Sequence, residues 1–179
     1  NDSDLVSQAI TVHDVTDPTI SDAGANATID CPEIPNFTAP TGTDECGQVS
    51  IVEVSDVTVG DACNYTRTKT WKAVDACGND SDLVSQAITV HDVTDPEFTS
   101  DLPQNISVSC DAIPVPQELT GFDSCSNQIT ITTNDDIVEN EGNCIGQFTI
   151  LRTWTITDSC GNDLTHTQTI SVYDNTAPT

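Results

Sequence analysis

From Tyr65 to Val74 the chain alternates, with Tyr65, Arg67, Lys69, Trp71 and Ala73 on one side and threonines, Lys72 and Val74 on the other. The same alternation returns at Phe148, Ile150, Arg152, Trp154 and Ile156. A period of two over about ten residues marks a strand with one buried face, because successive side chains leave opposite faces of the pleat. The face carrying the tryptophan is expected to turn inward. Val84, Ile88 and Val90, and later Ile170 and Val172, predict a closing strand of the same kind. Shorter strands are expected at Ala27–Asp30, Val49–Val54, Ile106–Ser109 and Gln128–Thr132. Turn formers lie between them, among them Pro40-Thr41-Gly42 and Cys77-Gly78-Asn79-Asp80. No segment holds a helical period beyond one turn. About seven short strands in roughly 80 residues predict an all-β fold of immunoglobulin-like β-sandwich modules.

These strands recur as a unit. Residues 1–18, NDSDLVSQAITVHDVTDP, reappear unchanged at 79–96, and a diverged copy, GNDLTHTQTISVYDNTAP, runs from Gly161 to Pro178. The cysteines keep the same period: Cys31, Cys46, Cys63 and Cys77, then Cys110, Cys125, Cys144 and Cys160. Trp71 and Trp154 stand at matching places before the last cysteine of each set. Such self-similarity predicts tandem modules in a linear array. Residues 1–18 are expected to be the closing strand and linker of a preceding module. Residues 19–96 form one immunoglobulin-like module, and 97–179 form another with the linker to the next. A longer parent chain is expected.

Four cysteines per module allow three pairings. Cys46 and Cys77 sit in similar loops, Asp44-Glu45-Cys46-Gly47 and Asp75-Ala76-Cys77-Gly78. Cys31 follows the opening strand and Cys63 precedes the tryptophan strand. Placing these two sets at opposite ends of a sandwich favours Cys31–Cys63 with Cys46–Cys77, and Cys110–Cys144 with Cys125–Cys160. Two disulfides per module are therefore expected, each closing a loop of about 30 residues and contributing roughly 3–4 kcal/mol. A thiolate zinc site is disfavoured, because no C-x-x-C pair occurs and His13, His91 and His166 stand apart from the cysteines. Structural bridges in turn imply an oxidising, extracytoplasmic compartment.

Charge changes the picture further. The 179 residues carry 29 acidic and four basic side chains, a net charge of −25. So few cations exclude phosphate-backbone binding to nucleic acid and adhesion to anionic lipid. No apolar run approaches the roughly 18 residues a membrane-spanning helix needs, so no membrane insertion is expected. The acid gathers at the module boundaries, in Asp14-Val15-Thr16-Asp17-Pro18 and its copy Asp92-Val93-Thr94-Asp95-Pro96. At the first boundary Asp14 and Asp17 are expected to face Asp44, Asp75 and Asp80. At the second, Asp92 and Asp95 are expected to face Asp123 and Asp158. Several oxygen ligands converging on one point suit Ca2+, which takes six to eight of them in flexible geometry. The plainer alternative is that these aspartates cap turns and keep the surface soluble. All four basic residues, Arg67, Lys69, Lys72 and Arg152, lie on the tryptophan strands, and the stems of Lys69 and Arg152 are expected beside the rings. The acidic stretch from Asn134 to Asn143 is the candidate binding loop. Modules this small leave no room for a substrate cleft, and no nucleophile motif is present, so no enzymatic activity is expected.

The strings TWKAVDACGND…QAITVHDVTDP and TWTITDSCGNDLTHTQTISVYDNTAP resemble repeats of very large Bacteroidota surface adhesins. Those are gliding-motility-type or appendage-forming proteins exported by the type IX route, and they are similar to hyalin-repeat modules. The resemblance implies an extracellular array on a bacterial outer surface, serving cell adhesion or forming a filament. It implies as partners the neighbouring repeats, identical chains in a bundle or filament, and host, prey or surface glycans bound through another region. Hyalin-repeat modules often carry a cysteine in the last strand, where this chain has Ser85-Gln86-Ala87-Ile88, so no pairing is carried over. The function expected is a calcium-stiffened stalk projecting a binding or grasping tip. The alternative is a module that binds glycan or protein with its own loops.

Overall fold

The alternating segments are long strands in a computed structural model that describes residues 5–126, 128–139 and 147–174. Among these residues there are twelve strands and no helix. The first sequence repeat holds β1 (Thr19–Ile20), β2 (Ala27–Asp30), β3 (Gly42–Thr43), β4 (Val49–Gly60), β5 (Asn64–Asp75) and β6 (Val84–His91). The second holds β7 (Glu97–Phe98), β8 (Ile106–Ser109), β9 (Gly121–Phe122), β10 (Ile129–Glu139), β11 (Phe148–Asp158) and β12 (Asp163–Tyr173). Each repeat builds a four-stranded sheet, β4-β5-β6-β2 or β10-β11-β12-β8, and a two-stranded one, β1-β3 or β7-β9. In the second repeat β10, β11 and β12 pair antiparallel, and β8 adds to β12 in parallel.

Two layers result. A Cβ on Gly121 of β9 would collide with the Ile156 side chain of β11 and the Glu97 carbonyl, so only glycine lets the small sheet lie on the large one. Gly42 of β3 meets Val49, Ile51 and Ala73 in the same way. Between the layers lie Trp71 and Ala73 in one repeat and Trp154 and Ile156 in the other, all buried. Ile150, Ile170 and Val172 extend the second core, joined by Ile106, Val108 and Phe148. The inward face expected from the alternation is the one observed. Backbone packing divides the chain into two compact units, one of Asn1–Thr28, Pro35–Val59 and Thr66–Thr89, the other of Ile29–Ile34, Gly60–Tyr65 and Val90–Thr179.

Residues 5–18 form no strand, although their copy at 83–96 contains β6. β6 is held between β5 and β2, and the earlier copy has no such neighbours among the described residues, so Ile10 and Val12 are exposed while Ile88 and Val90 are buried. Several expectations need correction. Gly42, expected in a turn, is in β3. β4 and β10 run well past their expected ends because the hydrogen-bonding partner, not the side-chain pattern, sets strand length. The suspected binding loop is strand up to Glu139, with Asp135 opposite Arg152. Its remainder from Asn140 to Asn143 lies outside the described residues.

The cysteine pairing also differs. Cys31 bonds Cys125 and Cys63 bonds Cys160, with Cα separations of 5.8 and 5.2 Å, so both bridges join successive sequence repeats. Cys31–Cys63 and Cys125–Cys160 do not form, and Cys46 and Cys77 are exposed thiols. Cys110 is likewise an exposed thiol, and its expected partner Cys144 lies outside the described residues. Backbone hydrogen bonds explain the choice. Cys31 N–H donates to the His91 carbonyl, Asp92 N–H donates to the Cys63 carbonyl, and Thr94 Oγ1 donates to the Cys31 carbonyl. The linker after β6 thus draws both cysteine loops to its own side. An intra-module pairing would need these loops at the far end of the sandwich.

Candidate metal centre

Three aspartates meet where the linker after β6 passes the disulfide loops. Asp92 follows β6, Asp123 follows β9, and Asp158 ends β11. Each first makes a local turn. Asp92 Oδ1 accepts Thr94 N–H at 3.1 Å, and Asp123 Oδ1 accepts Cys125 N–H at 2.8 Å and Ser126 N–H at 2.5 Å. Asp158 Oδ1 accepts the N–H groups of Cys160, Gly161 and Asn162 at 2.7–2.9 Å. That fan needs Gly161 at a φ of 93°, which L side chains rarely adopt. Asn162 then ties the loop together, its Nδ2 donating to Asp158 Oδ2 at 2.9 Å and reaching toward the Asp92 carbonyl at 3.4 Å.

The carboxylates are almost wholly enclosed: Asp123 is 4% exposed, Asp158 7% and Asp92 8%. Ligand atoms of Asp92, Asp123 and Cys125 lie within 4.8 Å of one another, and so do those of Asp92, Asp158 and Cys160. Both sulfurs are in disulfides, so neither is a thiolate. The donor set is therefore oxygen. Asp123 Oδ2 is buried and has no hydrogen-bond partner among the described residues. Burial pushes the Asp92 pKa above its ordinary value, with the nearby Asp123 and Asp158 charges adding to it against the Thr94 N–H. At Asp158 burial acts the same way, but the Asn162 amide and the backbone N–H fan outweigh it and hold the pKa low. An acid stabilised as carboxylate therefore sits beside one that is repelled as carboxylate. All four basic side chains are engaged with other acids: Arg67 with Asp56, Lys69 with Glu53 and Asp56, Lys72 with Asp80, and Arg152 with Asp135.

The first repeat shows the same arrangement in part. Ligand atoms of Asp14, Asp44 and Cys46 lie within 4.8 Å of one another. Asp14 Oδ1 accepts Thr16 N–H, Asp44 Oδ1 accepts Cys46 N–H, and Asp75 Oδ1 accepts the N–H groups of Cys77, Gly78 and Asn79. Asn79 Nδ2 reaches toward the Asp14 carbonyl at 3.4 Å, the distance found at Asn162. The Asp14 carboxylate, with burial and with Asp44, Glu45 and Cys77 behind it, pushes the Cys46 thiol pKa up.

Of the nine aspartates expected as ligands, the structure gathers Asp92, Asp123 and Asp158 in one place, and Asp14 and Asp44 in another. Asp75 is buried in its own N–H fan. Asp80 is instead bound to Lys72 at 2.5 Å. Asp17 and Asp95 line shallow pockets beside Asp44 and Asp123. Reasoning from sequence missed Asn162 as the clasp on Asp158 and the linker, and missed the bridges beside the cluster. The repeated Cys-Gly-Asn-Asp string was the available signal for the first. Arg152 offers nothing to a ligand: it is 3% exposed, its Nε and Nη2 pair with Asp135 and its Nη1 donates to the Pro114 carbonyl. His166 packs against Trp154 and bonds the Pro103 carbonyl.

Residues 98–172 match the model of a family described as an HYR-like domain with 4 cysteines. That span contains Cys110, Cys125, Cys144 and Cys160. No curated protein matches the chain. Among solved structures it is similar to Drosophila N-cadherin EC1-4, at 12% identity and a TM-score of 0.41 over 89% of this chain and 50% of that one. It is similar to the protocadherin GammaB4 extracellular domain at 11% identity and 0.38, over 87% of this chain and 34% of that one. For human CDH23 EC21-23 the identity is 12% and the TM-score 0.37, with 88% and 70% covered. The chain spans half the length of the N-cadherin chain and about a third of the protocadherin chain.

Proposed function

We propose that this chain is a stalk segment of a long extracellular adhesin or filament, stiffened by Ca2+ where one repeat follows another. The observation that carries the reading is Asp123 Oδ2, a buried carboxylate oxygen without a partner among the described residues, beside two further buried carboxylates. Leaving such an oxygen unsatisfied costs on the order of 1–3 kcal/mol, and more for a charged group. A hard divalent cation removes that cost and screens the repulsion felt by Asp92. Asp92, Asp123 and Asp158 are the residues that hold it. Oxygen donors with no thiolate suit Ca2+ rather than zinc or copper. Asp14 and Asp44 form the corresponding pair in the first repeat, with Asp17 beside Asp44 and Asp75 in the adjoining loop, while Asp95 lies beside Asp123 in the second.

The two disulfides fit an oxidising compartment outside the cytoplasm, and we place the protein on a bacterial outer surface, exported by the type IX route. The role is mechanical rather than enzymatic. Trp71 and Trp154 are buried, which leaves the tip that grips host, prey or surface glycans to another region. Neighbouring repeats of the same chain are the immediate partners, and identical chains pack beside them in a bundle or filament. Thermal unfolding of the oxidised chain in chelator, in Mg2+ and across a Ca2+ series tests the cation. The midpoint is expected to rise with Ca2+, by about 2.7 kcal/mol of stability at a hundredfold excess over Kd. An unchanged midpoint overturns the reading.

A further inference from the structure

Cys46 and Cys77 are exposed thiols in the first repeat at the positions that Cys125 and Cys160 hold in the second. We infer that they are the receiving half of another pair of bridges, closed by the Cys31- and Cys63-type cysteines of a further repeat of this kind.

The local geometry is already that of the bonded pair. Asp44 Oδ1 holds Cys46 N–H at 2.7 Å, as Asp123 holds Cys125 at 2.8 Å. Asp75 holds Cys77 N–H at 2.9 Å, as Asp158 holds Cys160 at 2.8 Å. Asn79 and Asn162 reach toward the preceding linker carbonyl at the same 3.4 Å. The linker itself is identical in the two copies. In the second, His91 O, Asp92 N–H and Thr94 Oγ1 seat the loops of Cys31 and Cys63 against Cys125 and Cys160. His13, Asp14 and Thr16 are the same residues in the same order, and the Asp14 carboxylate lies within 4.8 Å of the Cys46 sulfur.

A second observation points to the same occupant. Ile10 is 78% exposed and Val12 86%, whereas the identical Ile88 and Val90 are each 3% exposed inside their own sandwich. Gln86 in β6 is also buried, donating to the Ala25 carbonyl and accepting Thr38 N–H. Its copy is Gln8. Residues 5–12 therefore carry the inward face of a closing strand, and the body that fits it is a repeat like 19–78. That body brings one cysteine of each type to the linker. Each bridge forms when two thiols are oxidised by a small-molecule disulfide such as oxidised glutathione. One protein S–S bond is made, the glutathione S–S bond is broken, and two glutathione thiols leave with the two protons. The inference does not depend on Ca2+, since it rests on the repeat and on the bridges already present.

The exact repeat makes the test simple. Placing residues 19–78 in front of Asn1 regenerates a complete copy of 19–96 ahead of the existing chain. In the added copy, Cys46→Ser and Cys77→Ser leave one Cys46 and one Cys77 in the molecule. After refolding in a glutathione buffer, non-reducing peptide mapping is expected to find Cys46 joined to a Cys31-type peptide and Cys77 to a Cys63-type peptide. Iodoacetamide is expected to label both cysteines in the 179-residue chain and neither in the extended one. The Cys31–Cys125 and Cys63–Cys160 bridges in the same molecules report that the chain has folded. With those two present, a Cys46–Cys77 bond or two alkylated thiols overturns the inference. The Ca2+-dependent midpoint of the 179-residue chain is a separate readout, so failure of the cation reading and failure of the bridges are distinguished.

Discussion

The disulfide sulfur of Cys160 lies 3.2 Å from Asp92 Oδ2, so a covalent bridge and a buried carboxylate meet at one point. The sulfur has no hydrogen to give, and Asp92 gains nothing from it against its acidic neighbours. The bridge holds the Cys63 loop beside the linker, and Asp92 N–H bonds that loop's carbonyl. Bridge and carboxylate thus depend on each other's position. A cation between Asp92 and its neighbours would relieve the repulsion that the bridges enforce.

Asp123→Asn separates charge from shape. The side chain keeps one oxygen for Cys125 N–H and Ser126 N–H, and an amide replaces the unpartnered oxygen. In chelator the variant is expected to melt within about 1 kcal/mol of the parent, because lost repulsion offsets the newly buried amide. Its Ca2+-dependent rise is expected to vanish. Calorimetry in chelator and in saturating Ca2+ measures both numbers on one protein.

The paired change Cys31→Ser with Cys125→Ser removes a bridge across a sequence separation of 94 residues. For a loop of that size the chain-entropy model gives about 4–5 kcal/mol, more than for a bridge within one repeat. Denaturant unfolding should show a loss of that order. Cys46→Ser is the control: the thiol is exposed and unbonded, so a change within about 0.5 kcal/mol is expected.

One sequence is present here in two structures, and amide exchange should separate them. The amides of Ile88 and Val90 are expected to be protected by β5 and β2, while those of Ile10 and Val12 exchange freely, giving two sets of NMR resonances for identical residues. Equal protection in both copies would contradict this. The same comparison shows what could be read from the chain. The faces of β5 and β11 were legible because alternation reports burial on one side, and Trp71, Trp154 and Ile156 are buried as expected. The ends of β10 were not, since Asn134, Asp135 and Asp136 look like a loop until β11 pairs with them. The cysteine partners were hidden for a related reason. Spacing treats each repeat as closed, whereas the linker hydrogen bonds carry Cys31 and Cys63 to the next set. The acid cluster was legible in part because charge had to collect where linker and loops converge.

Arg152 and Asp135 give the pH dependence. Asp135 accepts two hydrogen bonds from the guanidinium at 2.7 and 2.8 Å, and that contact outweighs burial and holds its carboxyl below the usual range. The unfolded value is about 3.9. Stability from the pair is therefore fully present above about pH 4 and is lost as pH falls through the lower folded value. Asp135 is 37% exposed, so solvent screening limits the pair to about 1 kcal/mol. Asp135→Asn should flatten the acid limb of the stability curve by that amount. Arg152→Met should cost more, about 2–3 kcal/mol, because it also leaves the Pro114 carbonyl without its donor. Urea unfolding at pH 7 and pH 3 is expected to show the parent converging on Asp135→Asn at the lower pH. If the two stay apart there, the Arg152 contact is not what carries the titration.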